Sequence, residues 1–469
     1  MSSPTLKIAI LGAGPGGLTL ASLLSSSSTT TTPISYTIFE LRPQPPPLNA
    51  TSSSSGSLDL HGNSGLLALS ACGLMPSFEA LKRECSEESI ITDMKGEVKW
   101  RDEGFGERPE IERGVLMGLL LGGVEEGRVR WGVKVLGVRP AGKREGGWVV
   151  RFIRSGGGFE EGEGKEIEEE EQEEFDIVID ASGAHSRARI VLSPTTPFYS
   201  SISCLTLTIP HLDTMDPSLA KLVGNGSFMA MGYGKAVMSQ RGTEGAARIY
   251  VMLRTGGEGY LKESGLDVAC KRPEELKRLL LAEGGLFENW GEGVRGLIER
   301  GCDAEAEALS FHLTCGDGEE GNGGKEQREG ITARPLYMLP TDFTWLHQKG
   351  LTLIGDAAHL MTPFAGEGVN CAMLDALEVS KAILSCLPLD SSLAEKKGRE
   401  EVLEEIDGKI ERFEREMWKR MHPIQEETVR NLEMMMCDER APEGFVEWMK
   451  GMFEAAMKEM GQGVKEGGN

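Results

Sequence analysis

The chain has 469 residues, enough for two or three domains, and 39% hydrophobic content supports a sizeable core. A formal net charge of −23 argues against nucleic acid or an anionic membrane surface as a partner. Nine cysteines without a C-x-x-C pair, and no apolar run of about 18 residues, exclude a zinc ribbon, a disulfide scaffold and a spanning helix from the expectation. The leading MSSPTLKIAIL runs straight into a strand with no secretory pattern, so a reduced, cytoplasmic setting is expected.

Leu6 to Leu11 is a strand-like apolar run. Gly12-Ala13-Gly14-Pro15-Gly16-Gly17 follows, then the helical LTLASLL. A G-x-G-x-x-G between strand and helix is a nucleotide fingerprint. Gly12 serves the tight turn, Gly14 the approach of a pyrophosphate, and Gly17 close helix–strand packing. Tyr36 to Glu40 reads as a second strand, and Glu40 stands where ribose hydroxyls are held, with Arg42 just beyond. Residues 25–33, SSSSTTTTP, and the Pro/Ser-rich run that follows Arg42 are expected to be solvated connections. Alone, this half fits either NAD(P) or FAD.

Gly56-Ser57-Leu58-Asp59-Leu60-His61 precedes a helix starting near Ser64, which Asp59 could cap. Arg113 heads the apolar helix GVLMGLLLGGV, where a structural salt bridge is one reading of it. Val129–Val138, Trp148–Ile153 and Asp176–Asp180 read as strands. Between the last two, residues 155–174 are almost all Gly and Glu and are expected to be a disordered hairpin insertion. Residues 198–254 alternate as strands of an antiparallel sheet, with Phe228, Met229, Met231 and Met238 either a pocket wall or ordinary core. Helical patterns fill residues 271–300, a second polar insertion covers 316–330, and 331–339 returns as strand.

Residues 351–384 carry the densest signal. A short strand, Leu351–Ile354, breaks at Gly355-Asp356, passes through a turn of small residues and enters a helix from Val369 with one apolar face. Helix N–H groups and the dipole point into such a turn, and Gly366 and Gly368 admit a ligand close to the backbone. Asp356, just off the strand, is placed to accept hydrogen bonds from hydroxyls. Reduced flavin on its ribityl chain fits these parts. Beyond it, residues 393–436 read as one or two long helices without a sustained heptad, and His422 is read as structural.

Gly355-Asp356-Ala357-Ala358-His359, with Pro363 and Gly366-x-Gly368-Val369-Asn370, resembles the second flavin motif of class A FAD-dependent aromatic monooxygenases, the p-hydroxybenzoate hydroxylase-like enzymes. The GSLDLH string brings the resemblance nearest to the tetracycline-inactivating branch. It covers roughly residues 6–436. It implies that Gly12, Ala13, Gly14, Gly17, Glu40, Arg42, Asp59, Arg113, Asp356, Pro363, Gly366, Gly368, Val369 and Asn370 bind FAD. Ser182-Gly183 through Arg189 is similar to the family's D-G-x-x-S-x-x-R motif, with Ser182 in place of the acid. The branch's substrate-gripping Gln, Arg and His fall in rough register on Thr206, Ser227 and Arg248, a departure that disfavours tetracycline.

The implied fold is α/β: a three-layer Rossmann-like FAD domain, an antiparallel-sheet substrate domain and a long C-terminal helix. The expected division is 1–190 and 341–390 for the FAD domain, 191–340 for the sheet and 391–469 for the helical end. The implied activity is an NAD(P)H-consuming monooxygenase. It would hydroxylate an aromatic or polyketide-like small molecule with O2 through a flavin C4a-hydroperoxide, using NADPH or NADH, as a monomer or homodimer. No metal site is indicated and no catalytic residue is assigned. A flavin oxidase or dehydrogenase on the same scaffold, or a non-catalytic FAD-binding protein, stays open.

Overall fold

The computed structural model describes residues 5–26, 34–45, 56–82, 88–104, 108–142, 147–154, 169–314, 330–387, 398–452 and 454. The Ser/Thr-rich run 27–33, the Pro/Ser-rich run 46–55, and most of both polar insertions (155–168 and 316–329) lie outside them.

A five-stranded sheet holds β1 (Leu6–Leu11), β2 (Ile34–Phe39), β7 (Val129–Arg130), β11 (Ile177–Asp180) and β17 (Leu351–Leu353), all parallel, in the order β17-β11-β1-β2-β7. Its central strands β1, β11 and β17 are short, largely buried apolar runs, as expected where layers cover both faces of a parallel sheet. Strand β17 arrives some 340 residues after β1 in sequence, so the sheet is assembled from separated segments. Helix α1 (Pro15–Ser25) opens with Pro at its first position, which costs no hydrogen bond there. It packs on α6 (Gly368–Leu384) so closely that a Cβ on Gly16 would lie 3.0 Å from the Ala372 carbonyl oxygen. Between them in chain order come α2 (Gly65–Ala71), α3 (Arg113–Gly122), α4 (Pro273–Leu281) and α5 (Glu292–Thr314). The last long helix is α7 (Arg399–Leu432).

The run 129–138 is not one strand. Gly132, at φ 68°, breaks it, sending β7 to the parallel sheet and β8 (Val133–Pro140) to a separate three-stranded sheet. That sheet pairs β8 with β9 (Trp148–Arg154) and β9 with β10 (Glu170–Phe175). Strand β10 corrects the expectation of disorder over 155–174: its end is ordered. Its glutamates face basic partners, with Arg151–Glu170 at 3.1 Å, Arg154–Glu171 at 2.7 Å and Arg130–Glu173 at 2.8 Å. A like-charge run gains an ordered partner when the opposing strand and its neighbours supply the counter-charge.

The larger sheet has seven strands in the order β16-β12-β15-β14-β13-β4-β5. These are β4 (Ser89–Asp93), β5 (Val98–Asp102), β12 (Phe198–Ile209), β13 (Ser227–Gly232), β14 (Lys235–Arg241), β15 (Ala247–Arg254) and β16 (Thr332–Met338). The sheet is mixed, since β13 pairs parallel to β4. Strands β4 and β5 come from within residues 1–190, so that stretch is shared between the two sheets. One face buries Leu205, Leu207, Phe228, Val237, Ile249 and Val251 under α4, α5 and shorter helices. Phe228 therefore belongs to this outer core and not to a pocket wall. The opposite face carries Met231, Met252, Met229, Met238 and Tyr250, and it packs toward Phe364 and the end of α7.

Helix α7 docks on the parallel-sheet layer through a buried acid. Glu414 is fully buried and accepts from Trp345 Nε1 at 3.2 Å, and it pairs with His347 Nδ1 at 2.8 Å. Asp407 faces the other ring nitrogen at 3.3 Å. Burial opposes a charge on His347, but Asp407 and Glu414 carry its pKa up to about 10. The raised value means the contribution is complete below the unfolded-state value of about 6.5 and fades as pH rises through about 10. His347→Gln should cost about 1.5–3 kcal/mol at pH 6. Urea unfolding at pH 6 and pH 10.5 checks this, and the deficit should shrink at the higher pH.

Candidate active site

The turn after β1 is tight because Gly12 takes φ 96° and lies against Ala181, which a Cβ would strike at 2.7 Å. Gly17 is packed harder still, its Cβ position 2.0 Å from the Gly12 carbonyl oxygen. Gly14 between them has nothing within 4 Å of its Cβ position. The turn is thus rigid behind and open in front. Glu40 braces it: the carboxylate accepts from Ala13 N at 2.7 Å, from Arg42 N at 2.9 Å and from Arg42 Nε at 3.0 Å. Arg42 also donates to the Ala13 carbonyl at 2.7 Å. Burial opposes the Glu40 charge, yet the Arg42 guanidinium and these N–H donors hold its carboxyl below the usual range.

The second turn lies after β17. Gly355, at φ 60°, has Ala372 Cβ 3.0 Å from its own Cβ position, so α6 crosses directly over it. Asp356 begins a four-residue helical turn, Asp356–His359, and among the described residues its carboxylate accepts no hydrogen bond. Its surface is open, yet protein atoms ring it. That desolvation raises its carboxyl above the usual range, against the pull of His359, Arg113, Arg189 and Arg334. Asp356 is therefore an acid on the floor of an open recess. Pro363 and Gly366 are exposed, Val369 is half-buried, and Gly366 and Gly368 have nothing within 4 Å of their Cβ positions. Two open glycine turns thus flank a carboxylate that has no hydrogen-bond partner among the described residues.

Arg113 is exposed at the head of α3, and its charge reaches both Asp356 and Tyr250. Asp59 does not cap α2: it pairs with His61 Nε2 at 3.0 Å. Asn370 is fully buried and spent on the backbone, accepting from His61 N at 2.9 Å and donating to the Asp59 carbonyl at 3.0 Å. It fixes the turn from behind.

Several residues that hold these turns in place carried no clear sequence signal. Asp180 supplies the acid missing at Ser182, accepting from Ser182 N at 2.8 Å, Ser186 Oγ at 2.7 Å and Ala188 N at 3.0 Å. An aspartate two residues before the expected position was the available clue. Arg189 is buried and donates to the Ala357 carbonyl at 3.0 Å and to the Ala184 carbonyl, joining this motif to the Asp356 turn. Burial lowers its pKa, against the pull of Asp180 and Asp356. Asp375 on α6 is fully buried and accepts from Gly355 N at 3.0 Å, His359 Nε2 at 2.6 Å and Arg420 at 2.7 Å. Burial works against its charge, but His359 and Arg420 hold the carboxyl below the usual range.

The sheet side of the recess mixes apolar and polar groups. Opposed residues of antiparallel strands share a face. Thr206, Tyr250, Met238 and Met229 form one row, and Thr208, Arg248, Gln240 and Ser227 form the next. Thr206, Ser227 and Arg248 thus share the inner face. Arg248 donates to Thr208 Oγ1 at 2.7 Å, and the Tyr250 hydroxyl donates to Gln240 at 3.2 Å. Among the described residues no group of His, Cys, Asp and Glu could hold a metal ion. No described helix is long and apolar enough to cross a membrane, and the seven described cysteines form no disulfide.

A parallel sheet with a glycine turn after β1, a second glycine turn after β17 and a mixed, largely antiparallel sheet beside them defines an α/β enzyme scaffold of the dinucleotide-binding kind. Residues 343–392 match the FAD binding domain family. The chain is 32% identical over 452 residues to monooxygenase asqM of Emericella nidulans, covering 91% of this chain and 94% of that protein. It is 35% identical over 405 residues to monooxygenase penA of Penicillium thymicola, covering 80% and 84%. The solved structure of tetracycline destructase Tet(55) superposes with a TM-score of 0.61 at 16% identity over 97% of each chain. The protein belongs to the class A FAD-dependent monooxygenases.

Asp375→Ala strips three donors of their acceptor and leaves His359 and Arg420 facing a void. It should destabilise the protein by about 3–5 kcal/mol, read as a lower urea midpoint at unchanged slope.

Proposed function

We propose that this monooxygenase holds FAD in the recess above Asp356 and uses NADPH or NADH to hydroxylate an aromatic or polyketide-like small molecule. The observation that carries the reading is the Asp356 carboxylate, which stands between two open glycine turns with no hydrogen-bond donor among the described residues. A ribityl chain offers hydroxyl donors to such an acid. Gly12, Ala13, Gly14 and Gly17 would form the pyrophosphate turn, and Glu40 and Arg42 would hold the adenosine side. Arg113 and Asp59 would stand near the ribityl–phosphate region. Pro363, Gly366, Gly368 and Val369 would meet the pyrimidine end, with Asn370 holding their backbone in place. Bound FAD would supply electron transfer from NAD(P)H to O2 and delivery of one oxygen atom to the substrate.

The chain's own contribution is positional and electrostatic. The N-terminus of α6 points its N–H groups and dipole into the second turn, favouring negative charge there. Arg113, Arg189 and Arg334 surround Asp356 in a protein that is otherwise strongly acidic. Met229, Met238 and Phe364 offer an adaptable apolar wall for a ring. Tyr250, Gln240 and Arg248 offer hydrogen bonds to its oxygens. Burial keeps the Tyr250 phenol above its usual pKa, against the pull of the arginines, so it stays neutral with its hydroxyl proton directed to Gln240.

The test is the visible spectrum of the purified protein, before and after anaerobic NADPH, with and without candidate aromatics. A flavin band that NADPH bleaches and air restores, together with a hydroxylated product, is the expected result. Stoichiometric peroxide without product would point to an oxidase, and no flavin band after added FAD would overturn the reading. Asp356→Ala should weaken FAD binding by roughly 10- to 150-fold, the worth of one hydrogen bond to a charged group. Fluorescence titration of the apoprotein with FAD measures this.

A further inference from the structure

His61 closes the GSLDLH string and belongs to none of the roles above. Its ring lies between two carboxylates from distant parts of the chain: Nε2 is 3.0 Å from Asp59 and Nδ1 is 3.2 Å from Glu367. Its backbone N–H donates to Asn370, 309 residues away, and Asn370 donates back to the Asp59 carbonyl. Gly65 permits that approach, because a Cβ there would lie 2.6 Å from the Asn370 oxygen. Glu367 sits between Gly366 and Gly368 at the N-cap of α6. A carboxylate at that point opposes part of the positive end of the helix dipole within the first turn.

We propose that His61 is a positioning residue for the flavin. As an imidazolium clamped between Asp59 and Glu367, it fixes the strand β3 (Ser57–Asp59) segment to the start of α6 and offsets two acids beside the turn that receives the reduced, anionic ring. The inference rests on the FAD reading above. Asp59 and Glu367 are half-buried and the His61 ring is largely covered, so screening by water is partial. Arg108 also acts on Asp59, while Glu110, opposite Asp59 on β6 (Glu110–Glu112), accepts from Ser57. The Asp59 and Glu367 hydrogen bonds raise the His61 pKa to about 9, against burial. The clamp is complete below about 6.5 and is lost as pH rises through about 9.

The experiment has two readouts. Histidine NMR of the apoprotein, with the His61 signal identified by its loss in His61→Gln, should show titration near 9. The ratio of reduced to oxidised FAD affinity is then measured at pH 7.5 in the wild type, H61Q, E367Q and the double variant. H61Q should lower the ratio about tenfold, equal to ~30 mV for a two-electron couple. E367Q should raise it, and the double variant should return most of the H61Q loss. A purely structural His61 would lower the affinity for both forms and leave the ratio alone, which overturns the proposal. An unchanged ratio in E367Q overturns it even where H61Q fails to fold. A wild type that binds FAD while His61 titrates at its ordinary value sinks the His61 inference alone. A wild type that binds no FAD removes the flavin reading and this inference with it.

Discussion

The recess depends on one buried carboxylate. Asp375 ties the end of β17, through Gly355 N, to His359 of the following turn and to Arg420 of α7. Those three contacts set how far α6 stands from the strand and hence where its N-terminal turn points. Ala372, one turn earlier on α6, touches Gly16 and Gly355 together, so the two glycine turns are held against one helix. An acid with no exposed surface is costly unless fully satisfied. Here three donors meet it, and an arginine brings the neutralising charge from the C-terminal helix.

Charge is distributed against the grain of the composition. The chain is −23 overall, yet the recess gathers Arg113, Arg189, Arg334 and Arg248 around Asp356 and Tyr250. The acidity is spent elsewhere, on the exposed face of α7 and on β10, where arginines of neighbouring strands answer it. A concave site with low-dielectric walls focuses the field of its nearest charges, so local arginines outweigh a distant acidic surface screened by salt.

The larger sheet works as a wall with two different faces. Its outer face is closed by helices and carries Phe228, while its inner face keeps methionines, Tyr250, Gln240 and Arg248 beside the Asp356 turn. Period-two alternation decides this: one step along β13 moves a side chain from Met229 in the recess to Phe228 in the outer core. Composition alone grouped the two residues together; register separates them.

Local chemistry made much of this protein legible in its sequence. Apolar runs of strand length, glycines at the points where the chain must turn tightly or admit a ligand, and a helical face after Gly368 are properties of neighbouring residues, so β1, α1, β17, α6 and the two turns could be read directly. Pairings between residues separated along the chain could not. Nothing local marks Asp375 as the partner of Arg420, or Glu367 as the second carboxylate on His61. The order of β10 is decided the same way, because a glutamate run folds only where another strand brings its arginines alongside. Side-chain partners are chosen by which surfaces the packed core brings together, and that choice exists only once the chain has folded.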